Sequence, residues 1–255
     1  IVAGRRKLED VLLDLETLLN NQDQDTCVAA AAAILQIGSG PTDKAKMILN
    51  DMLDKEDEAT QATALKRLIY NDDILTNEKL LLFLQHDSDI ISNVALNIAE
   101  KRKDELLIPA IISNLSLPKT SLQARQTLKK FSEELIEEQF KQLLQSKEIT
   151  RKLKLGIIRT LREYPNEASI ELLISQLDDS DQDIYNLVVE SLLTIARLNP
   201  IGEEKHDRIA TEISTIAKKV YALNECINML PDDEHQFLMK DHLNNEIQNT
   251  LPTLL

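Results

Sequence analysis

Leu80-Leu81-Leu82-Phe83-Leu84-Gln85-His86-Asp87-Ser88-Asp89 is followed, four residues on, by Val94-Ala95-Leu96-Asn97-Ile98-Ala99. An apolar run ends at Leu84, a short acidic turn follows, and apolar residues then resume at helical spacing. That is the pattern of two helices joined by a tight connection. The same pattern returns between Leu172 and Ala196, with Leu177, Asp179, Asp181 and Val188 in corresponding places. Along the chain the last Leu of such a run falls at Leu19, Leu53, Leu84, Leu115, Leu144 and Leu177, with spacings of 34, 31, 31, 29 and 33 residues. Eleven places after five of these anchors stands an apolar residue: Ala30, Ala64, Ala95, Leu155 and Val188. In the fourth repeat Ala124 takes that role two places early. A sustained period of this size identifies an internal repeat.

Each repeat reads as two antiparallel helices. The first helices are expected at 7–20, 43–54, 76–86, 104–116, 133–146 and 167–178, and the second at 25–37, 57–70, 89–102, 121–131, 148–163 and 181–198. The turns within pairs are acidic: Asp54-Lys55-Glu56-Asp57, His86-Asp87-Ser88-Asp89 and Asp178-Asp179-Ser180-Asp181. Their last Asp occupies the place of a helix N-cap, where a carboxylate accepts the free amide hydrogens of the first turn. Breakers such as Gly38-Ser39-Gly40-Pro41 and Tyr164-Pro165-Asn166 separate the pairs. One such pair cannot bury its apolar face alone, and stacking its neighbours does so.

Composition agrees. The chain has 255 residues, 43% of them hydrophobic, with 5 Gly, 7 Pro, 4 Phe, 4 Tyr and no Trp. That is too few turn residues and strand formers for an all-β protein and too apolar for disorder. Its net charge of −14 disfavours wholesale binding of nucleic acid, which needs clustered Lys and Arg. Cys27 and Cys226 stand 199 residues apart without metal-ligand or redox spacing, so a cytoplasmic setting is expected. The longest apolar run, Val28 to Leu35, is eight residues, against roughly 18–20 for a bilayer span. No transmembrane segment or cleavable leader is expected. The chain opens on Ile1 rather than Met, as a piece of something longer would.

On the residues quoted above, the chain resembles the HEAT-repeat family of α-solenoids over about residues 7–198. Pro109, inside the first helix of the fourth repeat, matches the kink-forming Pro common in that family. The Arg that often follows the loop Asp is replaced by Ser92 and Asn186. The resemblance implies an all-α fold, a right-handed α-α superhelix, and a binding scaffold rather than an enzyme. A narrower resemblance rests on Ala124-Arg125-Gln126-Thr127-Leu128, Leu172 to Ala196, Ile209, Glu212-Ile213 and Val220-Tyr221-Ala222-Leu223. These are similar to the soluble HEAT region attached to some bacterial ADP/ATP-carrier-like transporters. That likeness implies a regulatory or docking module on the cytoplasmic side of a membrane protein, with an adjoining transmembrane domain as partner and the nucleotide site elsewhere.

The tail differs from the repeats. Ile209, Ile213, Ile216, Val220, Leu223, Ile227 and Leu230 alternate steps of four and three, a heptad seam along an uninterrupted helix over 203–230. Pro231 ends it, and Asp232-Asp233 would cap a last helix to 249. The expectation is a C-terminal long-helix hairpin over 203–249 that seals the array; a coiled-coil contact with another chain is the competing reading.

The remaining residues offer little for catalysis. His235 and His242 lie seven apart, about 10 Å along a helix, too far to share a metal. Gly38-Ser39-Gly40-Pro41 lacks a following Lys-Ser or Lys-Thr for phosphate. HEAT-like di-iron hydroxylases carry repeated His-Glu pairs, absent here, and HEAT-like DNA glycosylases are basic, with aromatics for the lesion. No catalytic residue, metal or cofactor is therefore expected. Charge placement says more. The second helices with their flanking residues hold 14 basic and 10 acidic residues, leaving the remainder strongly acidic. Lys66, Arg67, Lys101, Arg102, Lys103, Lys129 and Lys130 sit near helix C-termini, where cations complement the dipole. Arg151, Lys152 and Lys154 do not, because they open a helix. With Arg125 they are the candidate anion-attracting patch for an acidic peptide or phosphorylated group, solvated charge being the alternative. The expected function is non-catalytic recognition of another protein.

Overall fold

The computed structural model describes residues 9–55, 57–69 and 74–198, together with Thr211, Ser214, Thr215 and Lys218. All regular structure among them is helical. The chain divides into two compact units, Ile1–Ile136 and Glu137–Leu255.

In the first unit a 3-10 turn, Glu9–Val11, leads into α1 (Leu12–Leu18), followed by α2 (Gln24–Ile37), α3 (Thr42–Leu53) and α4 (Glu58–Arg67). Next come α5 (Asn77–Leu84), α6 (Asp89–Arg102), α7 (Ile108–Ser113) and α8 (Ser121–Leu128). These are four pairs, α1 with α2 through α7 with α8, and the members of each pair pack together. The second members also pack in succession, α2 on α4, α4 on α6 and α6 on α8. Side chains stitch one pair to the next: Lys44 donates to Asn20, Thr60 to Gln24, Lys79 to Asn50 and Ser88 to Glu58.

Local chemistry sets the helix ends. The carboxylates of Asp23 and Asp57 accept the N–H groups of Thr26 and Thr60 at 3.1 and 2.8 Å, capping α2 and α4. Gly38 closes α2 in the left-handed region at φ +81°, and its N–H returns to the Ile34 carbonyl at 3.0 Å. Glycine is required there because a Cβ is strained at positive φ. Asp89 departs from expectation. Ser88 holds the N-cap position of α6, and Asp89 is the first helical residue, paired instead with Lys119 at 2.5 Å.

The helix expected at 104–116 is broken into a 3-10 turn (Glu105–Leu107), α7, and a second 3-10 turn (Asn114–Ser116). Pro109 explains the first break. It has no N–H, and its ring would strike the carbonyl four residues back, so the α-helix begins around it instead of kinking over it. Asn114 anchors the far end: its buried amide donates to the Leu84 carbonyl at 2.8 Å and the Ala110 carbonyl at 3.0 Å, tying α7 to the end of α5.

The core of this unit is apolar and small-residue rich. Along α2, Ala30, Ala31, Ala32 and Ala33 are all buried, which lets α1, α3 and α4 approach it closely. Leu49, Leu65, Leu68, Leu80, Leu84, Ile91 and Leu96 are at most 1% exposed. Each such side chain contributes about 1.5–3 kcal/mol by leaving water.

The division between the units falls within α9 (Glu133–Gln145). The second unit continues with α10 (Arg151–Leu161), α11 (Glu167–Ile174) and α12 (Gln182–Leu198). Phe140 and Leu144 of α9 are buried four residues apart on one helical face. There α12 packs on both α10 and α11, Ser169 donates to Glu137 at 3.1 Å, and Arg162 donates to Glu190 at 2.8 Å. The hairpin expected over 203–249 lies outside the described residues apart from the four named above. No helix among the described residues is long and apolar enough to cross a membrane.

Candidate interaction surface

Thr150 caps α10, its hydroxyl accepting the Leu153 N–H, and thereby places Arg151, Lys152 and Lys154 in the first turn. There the dipole already carries partial positive charge. The structure supplies the compensation. Arg151 Nε donates to Asp181 Oδ2 at 2.5 Å, its Nη2 reaches Asp181 and Asp183, and Lys154 pairs with Asp179. Both carboxylates of Asp179 and Asp181 are held below the usual range. For Asp181 the Arg151 guanidinium is the main cause. For Asp179 burial pushes upward, but the Lys154 ammonium and the Asp181 N–H outweigh it.

Two cations of this corner, Arg151 and Lys154, therefore face three carboxylates, those of Asp179, Asp181 and Asp183. The expectation of an anion-attracting patch at Arg151, Lys152 and Lys154 changes accordingly: Arg151 and Lys154 are engaged with the carboxylates of the turn, while Lys152 is exposed beside them. Arg125 is half-buried on α8 in the first unit.

The second helices of the first unit offer a different surface. On α4 the exposed positions include Ala59 and Lys66; on α6, Ile90, Asn97 and Lys101; on α8, Leu122 and Gln126, with Lys129 as its exposed C-cap. Residues seven apart are two turns apart and share a face. Each helix thus presents an apolar or small residue near its N-terminus and a lysine near its C-terminus. Ile90 is 55% exposed and Leu122 58%.

Between α6 and α8 runs a polar seam. Lys119 pairs with Asp89, Asn93 reaches the Lys119 carbonyl at 3.4 Å, and Gln123 donates to Asn97 at 3.0 Å. Glu100 receives Gln123 at 3.4 Å and Lys130 at 4.0 Å. Beneath the seam, Thr127 donates to the Leu96 carbonyl at 3.3 Å. The carboxylates of the seam are thereby committed to the fold. Sequence reasoning assigned the lysines to helix dipoles and did not pick out Ile90 and Leu122, exposed in the first turns of the same helices. The signal was the common offset of these residues from the start of each second helix.

Other polar groups are structural. His86 Nδ1 accepts the Ser88 N–H at 3.0 Å and holds the turn. Buried Cys27 donates to the Leu19 carbonyl at 3.1 Å, and burial pushes its thiol above the ordinary value. A cleft of about 400 Å³ is lined by Thr76, Asn77, Glu78, Arg102 and Asp104, where Arg102 donates to Asn77 and Asn77 to Asp104. Among the described residues no group of three His, Cys, Asp or Glu side chains is placed to hold a metal ion.

No protein-family model and no curated protein matches this chain. Among solved structures, the crystal structure of an engineered protein aligns over 97% of both chains at 18% identity, with a TM-score of 0.26. That score is too low to indicate a shared fold.

Proposed function

We propose that this chain is a non-catalytic helical-repeat scaffold that recognises another protein: a HEAT-like, right-handed solenoid of about six helix pairs closed by a C-terminal helical hairpin. The observation that carries the reading is the succession α2, α4, α6 and α8. Each second helix packs on the next, and α4, α6 and α8 each carry an exposed small or apolar residue in the first turn and an exposed lysine at or near the last. Stacked repeats of this kind make extended binding surfaces because each pair rigidifies its neighbour.

The test is affinity purification from the source cells with quantitative mass spectrometry, followed by reconstitution. A protein recovered in stoichiometric amount that rebinds the purified chain with a Kd of about 1 μM or tighter supports the reading. Turnover of a substrate by the purified chain, with no stoichiometric partner, overturns it. Recovery of a multi-spanning membrane carrier as that partner would identify the scaffold as its docking module.

A further inference from the structure

Helix α1 differs from its counterparts in what it buries. Four of its seven residues, Leu12, Leu13, Leu15 and Leu18, are leucines, and none of them is buried. The corresponding helices do bury their apolar residues: Leu49 and Leu53 in α3, Leu80 and Leu84 in α5, and Ile108, Ile111 and Ile112 in α7. Stacking accounts for the contrast. Helix α3 packs on α2 of the preceding pair as well as on α4, and α7 packs on α5 as well as on α8. Helix α1 packs on α2 of its own pair and has no preceding pair among the described residues. A helix that is apolar on all sides is ordinarily covered, and an array normally ends on a polar face. Here the end carries leucine.

The open side is a single face. Leu13, Asp14, Thr17 and Leu18 fall within about 140° of one another around the helix, and all four are exposed, Leu13 at 75% and Leu18 at 36%. Leu12, Leu15 and Glu16 take the other side and are half-buried. Exposed Asp10 precedes Asp14 by four residues, in the 3-10 turn that leads into α1. Among the described residues no side chain bonds to the carboxylate of Asp10 or Asp14. Residues 9–25 contain six acids and no Lys or Arg. Lys44 of α3 reaches the end of α1, where it donates to Asn20, a neutral amide.

Leucine flanked by uncommitted carboxylates selects what can cover it. A neutral apolar surface would strip water from Asp10 and Asp14 and return no partner, which is costly. A second copy of α1 would set the same carboxylates against each other. Nucleic acid and anionic lipid would be repelled. A segment that carries Lys or Arg beside its apolar residues meets both requirements. Its form follows from the array, because the elements packed on α3 and α7 are helices.

We propose that the exposed face of α1 docks a basic amphipathic helix of a partner protein, with its apolar stripe on Leu13 and Leu18 and its Lys or Arg side chains toward Asp10 and Asp14. The partner helix takes the place that a preceding pair holds elsewhere in the array. The inference rests on the scaffold reading and gives it an end face and a partner chemistry. Apolar anchors at three- and four-residue steps hold such a helix, and the flanking charges set its orientation and salt sensitivity.

The probe is a library of random peptides, about sixteen residues or four helical turns long, displayed on phage and panned against the full chain. Enriched peptides should carry an excess of Lys and Arg, with apolar residues at three- and four-residue spacing. Their Kd, read by fluorescence anisotropy, should rise about tenfold or more in Asp10→Lys/Asp14→Lys and in Leu13→Ser/Leu18→Ser. Asp87→Lys/Glu148→Lys makes the same change in net charge in the turn before α6 and in the second unit. It should leave the Kd within about twofold, while added salt should raise it. All six positions are exposed, and unchanged thermal melting of each variant shows that folding is not the cause. Enrichment of acidic or uncharged peptides, an alternating period-two pattern, no enrichment at all, or an equal loss in the matched reversal would overturn the proposal. So would a dimer in sedimentation velocity that Leu13→Ser/Leu18→Ser abolishes, because it assigns the face to a second copy. A peptide that binds while ignoring both α1 doubles sinks this face and leaves the scaffold standing. The scaffold itself falls only with the absence of any stoichiometric partner.

Discussion

Replacing Asn114 probes how the helix pairs are held together. The side chain is 2% exposed, and its amide nitrogen meets two carbonyl oxygens, those of Leu84 at 2.8 Å and Ala110 at 3.0 Å. Its Oδ1 is buried without a hydrogen-bond partner among the described residues. In Asn114→Ala two hydrogen bonds worth about 1 kcal/mol each are lost, and the buried Leu84 carbonyl is orphaned at about 1–3 kcal/mol. Removal of the unsatisfied Oδ1 returns part of this, leaving a net loss of about 2 kcal/mol. Asn114→Leu loses the same bonds but fills the space, so it should cost less. Asn114→Asp is the severe case, because a carboxylate would face two carbonyl oxygens in a buried site, at a cost above about 3 kcal/mol at neutral pH. Its folded-state pKa would be raised, since only the protonated acid can donate. The folded variant then binds more protons than the unfolded chain, and the deficit against the parent should shrink as pH falls from 7 to 5. Urea unfolding followed by circular dichroism at both pH values reads the series. An Asp variant within about 1 kcal/mol of the parent at pH 7, or one whose deficit ignores pH, would refute the stitch.

Three further perturbations follow from single features. Gly38 and Gly40 both lie at positive φ, and a Cβ on Gly40 would sit 3.2 Å from Leu12 Cδ2 while one on Gly38 meets nothing. Gly38→Ala should cost about 1 kcal/mol and Gly40→Ala more; urea midpoints in the reverse order would contradict the geometry. Asp23, Asp57 and Asp181 are held below their ordinary value of 3.8, the first two mainly by the Thr26 and Thr60 hydrogen bonds and the third by Arg151. A depressed carboxylate stabilises fully above its unfolded pKa and loses that contribution as pH falls through the folded one. Stability should therefore be level with respect to these groups above about pH 4 and decline below it, less steeply in Asp57→Asn; an acid titration of the urea midpoint shows whether it does. Pro109→Ala should change stability by under about 1 kcal/mol, because Pro at a first turn forfeits no hydrogen bond, whereas a Pro in a helix interior costs about 3. A change near the larger figure would place Pro109 inside a continuous helix.

Much of the helical pattern was legible because its signals are local. Apolar residues at helical spacing, Asp57 as a cap, and Gly38 as a breaker act within one turn of themselves. Where the reading slipped, a competing local option decided. Ser88 took the cap position from Asp89 because Asp89 had a partner thirty residues on, in Lys119. Pro109 broke the helix at 104–116 because its missing N–H and its ring act on the preceding turn. The candidate site was less legible. The unusual placement of Arg151 and Lys154 at a helix start was visible, but their partners Asp181 and Asp179 lie 30 and 25 residues away. No pattern within a single helix pair contains that information.

The repeat period does contain it. Asp89 with Lys119, Glu100 with Lys130, and Arg151 with Asp181 are all opposite charges thirty residues apart, within the 29–34 residue spacing of the apolar anchors. A charge displaced by one period stands beside its own counterpart on the next pair, so complementary signs at that offset become bonds between pairs. Each exposed pair is worth only about 0.2–1 kcal/mol, so these bonds set register more than stability. They also decide what remains available for recognition. A carboxylate used as a stitch is engaged within the chain, as Glu58, Asp89 and Glu100 are on the second helices of the first unit. The net charge of −14 describes the chain as a whole. What a partner meets on α4, α6 and α8 is set by the groups these stitches leave exposed, among them Lys66, Ile90, Lys101 and Leu122.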